Sequence, residues 1–317
     1  MGLSIPEKRG SPLIVITGPT AIGKTQLAFN LALNISGAEI VSCDSMAIYK
    51  EMNIGTSKPS REMREKVPHH LVDICSVKEE FNVAEYVRRA KECIQDIIAR
   101  DKIPILVGGS LLYLYSLLDG IFQGPGKNPN LRRELIAIAD ARGVKYLYAK
   151  LAQIDPESAN KIHPNDLRRI VRALEVWYTT GEKISELKKR RKGIYEDYEV
   201  KIFGLSRDRE KIYQAIDDRV DEMISQGLVE EVRKLWREGI SMTAYQGHGY
   251  KEIIGYLENK YSLEEAVRLT KRNTRRYAKR QISWLRKDNR VRWINLDEFK
   301  NYNEVVNYIL QEVDIKL

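Results

Sequence analysis

The feature that most constrains this chain lies near its start. The apolar, β-branched run Leu13-Ile14-Val15-Ile16-Thr17 ends in Gly18, and Pro19-Thr20-Ala21-Ile22-Gly23-Lys24-Thr25 completes the pattern G-x-x-x-x-G-K-T. Apolar residues at helical spacing follow, Leu27, Ala28 and Leu31. Strand, glycine-bounded loop and helix in that order form a cradle for a polyphosphate. Glycines let backbone N–H groups come close to the anion, and the new helix points its free N–H groups and positive dipole end at it. Lys24 adds a mobile charge, and the Thr25 hydroxyl is of the type that holds the magnesium carried on phosphates. The bland alternative is a glycine-rich turn with a solvated lysine; the flanking strand and helix weigh against it.

Further strands alternate with helices. Glu39-Ile40-Val41-Ser42-Cys43 is a short buried strand that delivers Asp44-Ser45 at its carboxyl end. A polar loop is expected from Gly55 to Pro59, and Pro68-His69-His70-Leu71-Val72-Asp73 follows. Helical spacing follows from Asn82 to Arg100, then a strand from Ile103 to Val107 ending in Gly108-Gly109-Ser110 and a helix from Leu111. The alternation predicts an α/β chain with a P-loop NTPase-like parallel sheet flanked by helices. Ligands of such sheets collect beyond the carboxyl ends of the strands, where the phosphate loop, Asp44 and Ser110 all fall.

The turn-rich stretch Gln123-Gly124-Pro125-Gly126 marks a break. Residues 124–197 read as an all-helical insertion domain, which divides the core into 1–123 and 198–317. Strands are expected again at Val200–Leu205 and Val291–Ile294.

Charge matters because it names a partner. The 317 residues carry a net charge of +9, which favours an acidic partner. Between Lys271 and Arg292 stand ten Lys or Arg and one acid, Asp288, a one-sided face suited to phosphates. Tyr277 and Trp284 in that stretch are read as core. The three cysteines have no metal-ligand spacing and suit a reducing compartment. The apolar stretch Ile105–Leu118 is too short to cross a bilayer. The expectation is a cytoplasmic protein with no membrane partner.

Three candidate chemical groups emerge from the residues. Asp44 could hold magnesium, accept a proton or cap a helix. The next strand offers no carboxylate, so the second acidic anchor of an ATPase or kinase is missing. Arg219 lies at the edge of the stripe Ile212, Ile216, Val220, Met223 and needs an anion; Asp217, Asp221 or a ligand would serve. In Gln246-Gly247-His248-Gly249-Tyr250-Lys251 two glycines flank a histidine. This is either a tight loop or a backbone brought close to a nucleotide.

Taken in order, these residues resemble the tRNA dimethylallyltransferases, also called tRNA isopentenyltransferases. The resemblance runs through the phosphate loop, Asp44-Ser45-Met46 with Tyr49, Asn53–Pro59, Pro68-His69-His70-Leu71, Val107–Ser110, Ile162–Asp166, Arg172–Glu175, Gly249-Tyr250-Lys251 and Lys279-Arg280-Gln281. It implies that Gly18 to Thr25 hold the diphosphate of dimethylallyl diphosphate with Mg2+, Thr25 being the metal's protein ligand. It also implies that the exocyclic amine of the adenine just 3′ of the anticodon attacks the allylic carbon. Asp44 resembles the family's base, with Ser110 helping to hold Asp44 and the adenine, and Arg219 stabilising the leaving diphosphate. Asp44, Ser45, Met46, Ala47, Ser110, the 246–251 loop, Lys279, Arg280, Gln281 and Arg286 resemble the residues that receive tRNA. In the insertion, Arg132, Arg168, Arg169 and Arg172 do so. Ser110, Ala47 and His248 depart from the commoner family residues. The expected partner is the tRNA anticodon stem-loop, and the chain is expected to be a monomer. The competing readings are a P-loop nucleotide or small-molecule kinase and a non-enzymatic RNA-binding ATPase.

Overall fold

The computed structural model describes residues 10–56, 58–122 and 124–313. Ser57 and Gln123, both within motifs named above, lie outside them. The chain forms two compact units, Met1–Leu118 with Ile194–Leu317, and Asp119–Gly193.

The first unit is built on a six-stranded, wholly parallel sheet: β1 (Pro12–Thr17), β2 (Ala38–Ser42), β3 (His69–His70), β4 (Ile103–Val107), β5 (Glu199–Ser206) and β6 (Val291–Asn295). Their spatial order is β3-β2-β4-β1-β5-β6. β1 is central, paired with β4 on one side and β5 on the other, so its carboxyl end lies where the strand order reverses. Near-continuous apolar strands suit a sheet covered on both faces. Leu13, Val15, Val41, Leu106 and Ile202 enter the apolar cluster on one face, which includes the helices Val83–Ala99 and Leu111–Leu118. Ile14, Ile16, Ile40, Ile105, Phe203 and Leu205 enter the other, with helices Lys24–Leu33 and Tyr302–Val313.

β3 is a strand that the sequence pattern does not predict. Its two histidines carry no apolar pattern. They pair with Ile40 and Val41 of β2, and Glu39 of β2 receives His70, Arg100 and Lys102.

The second unit is wholly helical among its described residues: Pro129–Arg142, Val144–Ile154, Pro156–Lys161, Leu167–Thr180 and Ile184–Lys189. Leu135, Leu147, Leu151, Ile170, Leu174 and Val176 form its core. It begins at Asp119 and ends at Gly193, a few residues earlier at each end than the turn residues suggest. The chain is already re-anchored at Ile194 and Tyr195, whose N–H groups donate to Leu117 and Leu118 carbonyls. No helix among the described residues is long and apolar enough to cross a membrane.

Candidate active site

The loop after β1 adopts a conformation that most residues avoid. Gly23 caps the helix Lys24–Leu33 at φ 91°, and Ala21 sits at φ 62°. An alanine in the left-handed region is strained, and such strain concentrates at ligand-holding loops. No side chain caps the helix start, so its first N–H groups remain available to an anion. Lys24 Nζ donates to the carbonyls of Gly18 (3.1 Å) and Pro19 (2.7 Å). Burial pushes the Lys24 ammonium down to about 8; Arg219 adds to this and Asp44 opposes it. Thr20, Lys24, Thr25, Asp44, Lys58 and Arg219 line a cavity of about 450 Å³.

Arg219 resolves the alternatives left by the sequence. Asp221 is taken by Lys271 (2.7 Å) and Asp217 by Arg275 (2.5 Å). Arg219 Nη1 instead donates to Thr20 Oγ1 (3.2 Å), and its Nε is buried without a partner. Burial lowers its pKa from the usual arginine value, with Asp44 and Glu222 opposing. A guanidinium at the phosphate loop with no ion-paired carboxylate among the described residues is suited to an anionic ligand.

Asp44 and Ser110 come together through a close crossing of two strand ends. Cys43 N–H donates to Val107 O (2.7 Å), and Ser110 N–H donates to Cys43 O (3.2 Å). A side chain at Gly108 would lie 2.0 Å from Cys43 O, so only glycine permits the crossing. One Asp44 oxygen, Oδ1, accepts the N–H groups of Met46 (2.8 Å) and Ala47 (3.2 Å), which fixes the carboxylate. Ser110 Oγ accepts Ser45 N–H (2.9 Å) and donates to Ser45 Oγ (3.1 Å). It therefore braces the backbone just after Asp44.

A second cavity, of about 250 Å³, adjoins the first. Ile216, Val220 and Met223 give it an apolar wall, and Ser45, Met46, Ser110, Gln246, Gly247 and His248 line it too. Thr20, Ala21, Asp44, Thr56 and Arg219 line both cavities, so Asp44 stands at their junction. The 246–251 loop places its residues unequally. Tyr250 is fully buried, lines the cavity and donates to Glu231 (2.6 Å). Lys251 pairs with Glu252 (3.7 Å). Burial, with the charges of Lys251 and Arg280, pushes His248 down to about 4, so its ring is neutral at pH 7. The ring packs on Tyr277, 4.9 Å between centroids.

The helix Leu263–Leu285 reaches the phosphate loop. Gln281, 2% exposed, accepts Thr20 N–H (3.0 Å) and donates to Gly109 O (2.8 Å). Tyr277 OH donates to the same carbonyl (3.1 Å). Lys279, Arg280 and Arg286 are exposed, whereas Lys271 and Arg275 are occupied by acids. Trp284, at the spacing of a core residue, is 46% exposed. Helical spacing places a residue on a face but does not say where the covering layer ends.

In the helical unit, Arg132 grips Glu175 through Nε and Nη2 (both 2.8 Å), and Arg172 Nη1 donates to it as well (2.7 Å). Glu175 is fully buried. Burial alone would raise its pKa, but Arg132, the Asn128 N–H and Arg172 hold it down at about 2. Arg168 and Arg169 are exposed on the same helix. Nothing in their spacing separates these two pairs of arginines. Lys58 is likewise unmarked: its ammonium pairs with Asp73 (2.5 Å) at the phosphate cavity, but a lysine in a polar loop carries no spacing signal.

No group of three or more His, Cys, Asp or Glu that could hold a metal exists among the described residues. A magnesium ion bound mostly by diphosphate oxygens and water needs only one protein hydroxyl, and Thr25 in the cavity fits that need.

A model of the IPP transferase family matches residues 47–288. The chain is 50% identical over 301 residues to the tRNA dimethylallyltransferase of Halothermothrix orenii, covering 93% of this chain and 92% of that protein. It is 46% identical over 309 residues to that of Natranaerobius thermophilus, covering 95% and 92%. Among solved structures it is similar to the full-length tRNA isopentenylpyrophosphate transferase of Bacillus halodurans. The TM-score is 0.70 at 38% identity, over 96% of this chain and 97% of that one. It is also similar to a eukaryotic dimethylallyltransferase acting on tRNA, at TM-score 0.80 and 30% identity, over 96% and 79%.

Proposed function

Because the chain belongs to the IPP transferase family of tRNA dimethylallyltransferases, we propose that its two joined cavities hold dimethylallyl diphosphate and a flipped adenine on either side of Asp44. The activity is transfer of the dimethylallyl group to the exocyclic N6 of the adenine 3′ to the anticodon, in tRNAs that read codons starting with U. The observation that carries the assignment of sites is the position of Asp44, which lines both the polar phosphate cavity and the apolar one.

The diphosphate sits against Gly18 to Thr25, its charge met by loop N–H groups, Lys24 and Arg219. Magnesium, where bound, is held by the Thr25 hydroxyl and neutralises diphosphate charge. The allyl group extends toward Ile216, Val220 and Met223, away from water. The adenine leaves the anticodon stack to enter beside Ser45, Met46 and Ser110, as a base must for chemistry on its ring substituents. N6 attacks the allylic C1, the C1–O bond breaks, and diphosphate leaves with the electron pair. The N6 proton goes to Asp44, whose orientation the Met46 and Ala47 amides fix. A general base placed in this way contributes roughly 10²–10⁴-fold. The exposed Lys279, Arg280 and Arg286, with Arg168 and Arg169 of the helical unit, meet the anticodon stem-loop phosphates. The protein works as a cytoplasmic monomer.

The test is incubation with radiolabelled dimethylallyl diphosphate and an unmodified anticodon stem-loop carrying that adenine. Label in the RNA is expected. Phosphate transferred from ATP to a small acceptor, with none of the allyl label in RNA, overturns the reading in favour of a kinase.

A further inference from the structure

Behind the wall of the adenine cavity stands a carboxylate that lines neither cavity. It is Glu231, in the first turn of the helix Leu228–Glu238. Three donors from two distant parts of the chain converge on it. Tyr250 OH donates to Oε1 (2.6 Å), and the N–H groups of Asn53 and Ile54 donate to Oε2 (both 3.1 Å). Burial and the Glu231 charge push the Tyr250 hydroxyl well above its ordinary value, so it stays a donor. These partners carry the wall itself. Tyr250, Gly55 and Thr56 line the adenine cavity, and Thr56 lines the phosphate cavity as well. The fit is close: a Cβ on Gly55 would lie 2.4 Å from Tyr250 Cε2, and one on Gly247 would lie 2.9 Å from Tyr250 Cδ2. The Tyr250 ring therefore packs against two glycines and is pinned at its hydroxyl. Lys58 ties the same segment from another side, donating to Asn53 Oδ1 (3.0 Å) and Tyr49 O (2.6 Å). A carboxylate, with two acceptor oxygens, takes all three donors at Glu231. An amide has one oxygen and would turn its own N–H groups toward the remaining donors.

We propose that Glu231 is a positioning residue for the transfer reaction, joining Tyr250 to the 53–56 segment as one rigid wall that holds the acceptor base in line with the allylic carbon. The proposal rests on the function proposed above. Glu231 acts only through the wall and touches neither substrate. A misplacement of about 1 Å between reacting groups costs about 10²-fold in rate. The diphosphate is met by the phosphate loop, Lys24 and Arg219, none of which bonds to Glu231. The effect of Glu231 therefore falls on the rate of the bound substrates and not on affinity for diphosphate.

The experiment is single-turnover transfer from radiolabelled dimethylallyl diphosphate to the unmodified stem-loop, with both at saturating concentration. Pyrophosphate affinity is measured by calorimetry on the same full-length samples. Glu231→Gln keeps the size of the side chain and should lower the transfer rate about tenfold or more, with pyrophosphate affinity unchanged. Tyr250→Phe keeps the ring, removes only its hydroxyl and reads the same contact without relying on the fold of the first variant. It should lower the rate several-fold, and by less when Glu231→Gln is already present, because the two residues act through one contact. Wild-type rates in both variants overturn the proposal. So does a fall in pyrophosphate affinity equal to the fall in rate, which marks a general loosening of the chain, and so do independent, multiplying losses in the double variant. A wild type that transfers no label overturns the parent function instead.

Discussion

Gln281 accepts the backbone N–H of Thr20 at 3.0 Å, joining the helix that carries Lys279 and Arg280 to the phosphate loop across 261 residues of sequence. The same side chain donates to Gly109 O (2.8 Å) and is almost wholly buried. A residue held at both ends is placed to shape the loop rather than to read RNA. Gln281→Leu keeps the volume, leaves Thr20 N–H without its acceptor and leaves Gly109 O with the Tyr277 hydroxyl alone. Pyrophosphate affinity, measured by calorimetry without RNA, should fall about tenfold, since two modest hydrogen bonds are lost. An unchanged pyrophosphate affinity with weakened RNA binding would make Gln281 an RNA contact.

Lys24 supplies a pH dependence. Burial places its ammonium near pH 8, with Arg219 adding to the effect. The charged form is the one that attracts diphosphate; it predominates below pH 8 and is lost as pH rises through that value. Above pH 8, pyrophosphate affinity should fall by up to about tenfold per pH unit, because each unit then leaves one protonated lysine in ten. Lys24→Met should bind weakly and remove this component of the profile. A wild-type profile identical in shape to that of Lys24→Met would show that Lys24 does not titrate there.

Asp44→Ala separates chemistry from binding. The carboxylate acts on the adenine proton and not on the diphosphate, so turnover should fall by roughly 10²-fold or more. Pyrophosphate binding should persist. Single-turnover transfer assays beside calorimetry measure the two; wild-type turnover would remove Asp44 from the mechanism.

What could be read from sequence divides by range. The phosphate loop, Asp44 and Ser110 were legible because each is fixed by its own strand, and parallel strands deliver their carboxyl ends to one edge. The partner of Arg219 was not. Asp217 and Asp221 are its neighbours in sequence, yet Arg275 and Lys271 of another helix claim them. Trp284 followed the helical spacing of its buried neighbours but stands where the covering layer stops. Arg132 and Arg172 were expected at the RNA only through a resemblance, and packing alone reveals the buried Glu175 that holds both.

That pairing predicts a contribution of Arg132 to stability. Glu175 has a folded pKa of about 2 against an ordinary value of 4.5. A carboxylate lowered in this way adds stability above pH 4.5 and loses it as pH falls through 2, about 3 kcal/mol in all by linkage. Arg132→Ala leaves the buried Glu175 carboxylate to Arg172 and the Asn128 N–H, at a cost below the about 3–5 kcal/mol of a wholly unpaired buried charge. The variant should melt at lower temperature whether or not RNA is present. An unchanged Tm with lost RNA affinity would return Arg132 to the RNA surface.

Lys279 and Arg280 make the opposite prediction. Both are exposed, on the helix that places Gln281 at the phosphate loop. Their neighbours Lys271 and Arg275 are paired with Asp221 and Asp217, so among the described residues the exposed cations of this face without an ion pair lie toward the helix's carboxyl end. Each phosphate neutralised by a cation releases counterion, so log affinity falls with log salt by about 0.7 to 0.9 per contact. Changing both residues to Ala should weaken stem-loop binding and flatten the salt slope by about 1.4 to 1.8. Tm should stay within about a degree, since exposed charges outside ion pairs contribute little to stability. Pyrophosphate affinity should not change, because neither side chain lines the phosphate cavity. Titrations of labelled stem-loop at several salt concentrations measure the slope directly; a slope equal to that of the wild type would mean these cations face only solvent.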